Sequence, residues 1–140
     1  MPLLPLHFVN ADREDPVRRI NEITGGGADY AFEVVGFPAL VRQAFESVRP
    51  GGTAVLVGVQ PPQAEVAVDA WDLLMDRALI GVYHGSARAR VDFLWLLDLY
   101  KGGRLKLDEL ITRSRPLDEI NEAFEDMNKG LTARTVITYR

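Results

Sequence analysis

Glu33, Gly36, Gly58, His7, His84 and Arg134 are the residues whose types and positions invite a chemical reading. Cysteine is absent, which removes a thiol nucleophile, a thiolate zinc site and a disulfide framework. His7 and His84 are the only imidazoles, far apart in sequence and without carboxylates at ligand spacing, so no metal site is predicted and His7 reads as a structural histidine. Ser47, Ser86 and Ser114 have no evident histidine base and no G-x-S-x-G elbow, so no catalytic residue is predicted either. There is no G-x-G-x-x-G or Walker loop. The glycines of GGGADY join a helix to a strand, which turns their amides away from where a pyrophosphate would lie. Arg134 precedes the last apolar run, and its planar fork suits a phosphate, against the plainer reading of a solvated surface charge. Glu33, in an otherwise apolar segment, reads as lying at a strand's exposed end, with a ligand contact as the alternative.

Regular alternation of strand-sized and helix-sized segments supplies the frame for these residues. Asp15 as N-cap with Pro16 at the first helical position starts a helix with Val17, Ile20 and Ile23 on one face, and Gly25, Gly26 and Gly27 stop it. ADYAFEVV, residues 28–35, reads as a strand. Phe37 and Pro38 open a second helix with Val41, Ala44, Phe45 and Val48 in register, ended by Pro50, Gly51 and Gly52. TAVLVGV, residues 53–59, is the uninterrupted apolar run of a parallel strand covered on both faces, so the unit is a right-handed βαβ crossover. EVAVD is a candidate short strand, Asp69 a cap for a brief helix, and LIGVY, 79–83, a further strand. Helices at about 90–101 and 118–129 and a closing strand TVITY, 135–139, complete an α/β chain. In an open parallel sheet, ligands bind outside the carboxyl ends of the strands. Those ends are Val34-Val35-Gly36 and Val57-Gly58-Val59, where glycine either lets a ligand approach the backbone or simply makes the turn.

Composition narrows the class. The chain has 140 residues, 16 Lys+Arg against 20 Asp+Glu, net charge −4, 47% hydrophobic and 26% charged residues. These values describe a globular protein of one domain, 1–140, neither disordered nor membrane-spanning, with no basic footprint for nucleic acid. MPLLPLHFV is apolar but lacks a basic leading region and carries two prolines, so no signal peptide is predicted and a cytoplasmic location is expected.

DYAFEVVG, followed after a helix by SVRPGGTAVLVGV, resembles the later part of the cofactor domain of zinc-dependent, medium-chain alcohol dehydrogenases. The resemblance continues in both directions, through HFVNADREDPVRRINEITGGGADY and through LIGVYHGSARARVDFLWLLDLYKGGRLKLDELITRSRPLDEINEAFEDMNKGLTARTVITY, and covers residues 7–139 in order. It implies a partial Rossmann-like, doubly wound parallel sheet flanked by helices, and NAD(P) as cofactor. By resemblance, Val34, Val35, Gly36 and Phe37 line the adenosine side of the dinucleotide, and Val57, Gly58 and Val59 flank the nicotinamide. Val82 and His84 offer backbone groups to its carboxamide, and Arg134 reaches the pyrophosphate. Together they would orient the ring for hydride transfer and fix both ends of the cofactor.

The departures carry their own expectations. The first two strands of the Rossmann unit, its glycine-rich turn, the acid that holds the adenosine ribose and the Cys/His zinc ligands have no counterpart here, and residues 1–6 resemble nothing in the family. The chain by itself is therefore expected to hold no zinc and to lack dehydrogenase activity. Residues 7–10 are expected to be strand 3 of the order 3-2-1-4-5-6, leaving strand 28–35 as an unpaired edge. The resemblance also implies a homodimer through the strand near 79–84, for which Val82→Pro is expected to remove an edge donor. Readings as a non-catalytic binding or dimerisation module that pairs with a full-length relative, or as a methyltransferase half-domain, stand beside it. The latter leaves residues 79–139 unexplained and lacks an acidic strand end.

Overall fold

The computed structural model describes residues 6–139 and divides into two compact units, Met1–Ala87 and Arg88–Arg140. In the first unit α1 spans Pro16–Thr24, and the Asp15 carboxylate accepts from the Arg18 amide at 3.2 Å while Gly25 closes the helix in the left-handed conformation. Strand β1, Ala28–Glu33, is followed by α2, Pro38–Glu46, and β2, Val48–Leu56. Next come the short α3, Ala70–Leu74, capped by Asp69 through the Trp71 amide at 2.8 Å, and β3, Ala78–Gly81. The three strands are parallel in the order β1-β2-β3, so β1 and β3 are edges.

Apolar burial explains this arrangement. Val41 and Phe45 of α2 meet Val48 and Ala54 of β2, all fully buried, and their removal from water stabilises the unit by roughly 1.5–3 kcal/mol for each large side chain. Strand β1 stops at Glu33, leaving Val34 and Val35 in the turn, two residues short of the sequence expectation. Strand β2 begins at Val48, so Val48 belongs to the sheet and not to the preceding helix. Its register jumps from Ala28↔Val48 to Tyr30↔Thr53, so Asp29 alone stands opposite Arg49, Pro50, Gly51 and Gly52. Pro-Gly-Gly thus bulges within the strand, where the sequence suggested a helix end. EVAVD and residues 7–10 form no strand, for neither finds a ladder partner among the described residues.

In the second unit α4, Ala89–Lys101, ends at Gly102, with Phe93 and Leu97 on its surface. Strand β4, Arg113–Pro116, pairs in parallel with β5, Thr135–Thr138, and α5, Ile120–Asn128, connects them. Arg115 joins α5 to β4 by donating to Asp126 at 2.8 Å and to Glu119 at 2.6 Å, and Arg113 also bonds Asp126. Strand β4 was not legible in RSRP, because its two arginines are held by acids on the neighbouring helix and turn rather than by apolar packing. No helix among the described residues is long and apolar enough to cross a membrane.

Candidate functional site

The parallel order brings the carboxyl ends of β1, β2 and β3 to one rim, and with them Val34, Val35, Gly36, Val57, Gly58, Val59, Val82 and His84. Phe37 stands beside them as the first residue outside α2. The turns after β1 and β2 touch directly. Gly36 has φ +103°, and a Cβ there would collide with the Val59 carbonyl. A Cβ on Gly58 would collide with the Gly36 amide and lie 2.6 Å from Glu33 Oε2. The space each glycine leaves is therefore filled by the opposite turn, which is why both positions need glycine irrespective of any ligand.

Glu33 organises this junction. It is 4% exposed, so the expected exposed strand end is replaced by a buried carboxylate. Its Oε1 accepts from the Val35 amide at 2.8 Å and the Gly36 amide at 2.6 Å. Its backbone carbonyl accepts from the Val57 amide at 2.9 Å and the Gly58 amide at 3.0 Å. Its Oε2 receives Gln60 Nε2 at 3.2 Å. A buried carboxylate is tolerated only when its lone pairs are bonded in this way. Four amides of the two turns are thereby bonded to Glu33, while Val34, Val35 and Val59 keep exposed apolar side chains. Gln60 Oε1 is buried without a hydrogen-bond partner among the described residues.

Between the turns after β2 and β3 lies a cavity of about 730 Å³, lined by Val57, Gly58, Val59, Gln60, Val82 and His84 among others. That size and apolar lining suit a small-molecule or cofactor fragment. The Val82 N–H donates to the Leu56 carbonyl at 3.0 Å, so only its carbonyl is free for a ligand. This also corrects its expected place on the outer edge: the Val82 donor faces β2. Its wall includes Tyr83, His84 and Gly85, and a run of left-handed backbone follows at His84, Gly85 and Ser86, with φ of 48°, 64° and 53°; the Tyr83 and His84 rings meet edge-on at 4.3 Å between centroids. His84 and Ser86, the two side-chain-bearing residues that flank Gly85 in this conformation, store strain beside the cavity.

Arg134 belongs to the second unit. It is exposed, forms no ion pair among the described residues, and shares its unit's apolar cleft of about 310 Å³ with Phe124 and Met127. Its backbone carbonyl accepts from the Thr112 amide at 3.0 Å, which fixes the start of β5 and leaves the guanidinium to solvent. For a zinc ion the donor set does not fit: the sequence has no cysteine and two histidines, and no group of three His, Asp or Glu converges among the described residues. For a dinucleotide the cavity and the apolar turn residues do fit. Sequence reasoning missed the bonding of Glu33 and the whole of Gln60. The available signal was E-x-x-G, a carboxylate two and three residues ahead of amides in a tight turn.

Residues 6–101 match the family model described as zinc-binding dehydrogenase. The chain is 34% identical over 141 residues to S-(hydroxymethyl)glutathione dehydrogenase of Paracoccus denitrificans, covering 95% of this chain and 38% of the relative. It is 39% identical over 133 residues to alcohol dehydrogenase 1 of Oryza sativa subsp. indica, covering 93% of this chain and 35% of that protein. The fold superposes on benzyl alcohol dehydrogenase from Acinetobacter calcoaceticus with a TM-score of 0.89 at 32% identity, over 96% of this chain and 37% of the other. With alcohol dehydrogenase TADH from Thermus sp. ATN1 the TM-score is 0.83 at 28% identity, over 94% and 38%. The chain thus spans little more than a third of the length of these relatives.

Proposed function

This chain belongs to the zinc-binding dehydrogenase family, and on that premise we propose that it is the carboxyl-terminal portion of the cofactor domain of an NAD(P)-dependent, zinc-type alcohol dehydrogenase. The observation that carries the reading is the cavity between the turns after β2 and β3, with its largely apolar wall. Bound there, a nicotinamide dinucleotide would supply the hydride acceptor or donor that interconverts an alcohol and a carbonyl compound. Val57 and Val59 would press on the ring, and the Val82 carbonyl would hold a carboxamide N–H. Gly58 keeps that wall thin. Val34, Val35, Gly36 and Phe37 would form the apolar side toward the adenosine, and for Arg134 the support is an unpaired guanidinium together with the resemblance. No step is assigned to zinc, because the donors of this chain do not fit it. The chain by itself is accordingly proposed to lack dehydrogenase turnover.

Self-association through the strand near 79–84 is part of the same proposal. With Val82 turned toward β2, alternation along a parallel ladder turns the Gly81 amide outward, to the free edge. A second reading, a non-catalytic module that pairs with a full-length relative, is favoured by one feature. Tyr30 and Phe32 of the β1 edge are about two-thirds exposed beside an apolar hollow of about 480 Å³.

Calorimetry of NADH binding to the purified chain, with light scattering on the same sample, tests the proposal. Saturable binding with one site per chain by a discrete dimer is the expected result. A folded dimer that takes no NADH would overturn the cofactor reading, and copurification with a full-length relative would then support the pairing module.

A further inference from the structure

We propose that Glu33 is the positioning residue of the crevice, tying the turn after β1 to the turn after β2 so that the wall of the cavity holds a single geometry. The inference rests on the cofactor reading above only for its binding readout. It stands on three independent features of the junction. The carboxylate is buried and every polar group facing it is a donor: two amides of its own turn and the Gln60 side chain from the other. The carbonyl of the same residue takes the two amides with which the second turn begins. The glycines on either side leave no slack, since a Cβ at Gly58 would press on Glu33 Oε2 itself. One residue thus sets both the approach of the two turns and the inward aim of their amides. A side chain serving only to fill space would need none of these donors.

Gln60 adds a reciprocal element. Its Nε2 meets the carboxylate at 3.2 Å, while its Oε1 is buried with no partner among the described residues. A neutral amide in place of the carboxylate can therefore be accommodated by turning the Gln60 amide over: the new N–H₂ donates to the formerly unpaired Gln60 oxygen, and the retained oxygen still accepts from Val35 and Gly36. This makes Glu33→Gln a conservative rescue with a stated geometry, and Glu33→Ala its disruptive counterpart.

The test uses the full chain and reads amide hydrogen exchange residue by residue, with NADH calorimetry alongside. In Glu33→Ala, protection at the Val35 and Gly36 amides is expected to fall by about tenfold or more, as loss of hydrogen bonds to a charged acceptor implies, while Ala54 and Val55 in β2 keep theirs. Glu33→Gln is expected to retain protection and NADH affinity within about threefold, and to lose that rescue when Gln60→Ala is added. Val41→Ala, a core truncation away from the junction, is the control: it lowers the urea midpoint and leaves the two turn amides alone. The proposal is overturned if Glu33→Ala leaves Val35 and Gly36 as protected as before, or if Val41→Ala loosens them equally, which would reduce Glu33 to a contributor to general stability. If Glu33→Ala does not fold, the Gln variant with and without Gln60 decides the matter. A parent chain that binds no NADH refutes the cofactor reading, and the exchange pattern still settles the role of Glu33.

Discussion

Replacing Gly58 by alanine, with Gly81→Ala beside it, tests whether the two strand-end turns are locked together as described. At Gly58 the new methyl collides with the Gly36 amide and lies 2.6 Å from Glu33 Oε2 and 2.8 Å from Gly36 Cα, so backbone on one side and a bonded carboxylate on the other must yield. Overpacking of this kind costs roughly 1–3 kcal/mol. Opening the turns also lengthens the Gly36 amide's bond to the carboxylate, a charge-assisted bond whose loss costs about 1.5–3 kcal/mol. Together the two give about 2.5–6 kcal/mol, a large share of the roughly 5–15 kcal/mol that holds a domain. With a urea dependence of about 2 kcal/mol per molar, the unfolding midpoint should fall by roughly 1.2–3 M. Gly81 is exposed in β3 with nothing within 4 Å of its would-be Cβ, so alanine there removes only a flexible residue from a strand and should leave the midpoint unchanged or raise it slightly. Urea unfolding followed by circular dichroism distinguishes the two. A Gly58→Ala midpoint within about 0.3 M of the parent, or a fall matched by Gly81→Ala, would refute the contact between the turns and the ligand-independent need for glycine.

Asp126 is held below the usual carboxylate range chiefly by its hydrogen bond from Arg115, with Arg113 adding to it and burial opposing. A depressed folded pKa stabilises above the unfolded value of about 4 and is lost as pH falls through the folded value, so the urea midpoint should drop below about pH 4, and Asp126→Asn should flatten that acid limb. His84→Gly relieves left-handed backbone beside the cavity and should raise the midpoint by the equivalent of about 1 kcal/mol, whereas a loss would show that the imidazole packs productively there. Asp15→Ala removes the cap of α1 and should cost about 1 kcal/mol in the same assay. Gly81→Pro, which deletes an outward donor, should lower the mass seen by light scattering if β3 is the dimer edge. Val82→Pro breaks the bond to Leu56 and should unfold the sheet instead, costing about 3 kcal/mol or more.

The sequence made some of these features readable because they are local. Asp15, Pro16 and Gly25 carry their positions in their own conformational preferences, and α1 begins and ends where they stand. The apolar run at the heart of β2 was equally plain, since only a strand between two layers has so little need of polar alternation. Its beginning was not, because Pro50, Gly51 and Gly52 carry the same signature whether they end a helix or bulge from a strand. The register jump opposite Asp29 is decided by pairing with β1, twenty residues away. Strand β4 failed for the same reason, its arginines being held by Asp126 and Glu119 from α5 and the turn before it.

Glu33 shows where local reading stops in the candidate site itself. An acid ending an apolar strand has two physical outcomes, solvation or full hydrogen bonding in the interior, and its own neighbours do not choose between them. The choice is made by Gln60, twenty-seven residues on, and by Gly58, whose missing side chain lets the second turn close over the carboxylate. Gly36 and Gly58 were legible as positions without a side chain, yet the sequence does not say what occupies the space they leave. It is the other turn's backbone and the Glu33 carboxylate. The crevice a ligand would enter is therefore built one step removed from the glycines that mark it. Four of its turn amides, those of Val35, Gly36, Val57 and Gly58, are held by Glu33, and the exposed side chains of Val34, Val35 and Val59 are the apolar surface left to a ligand.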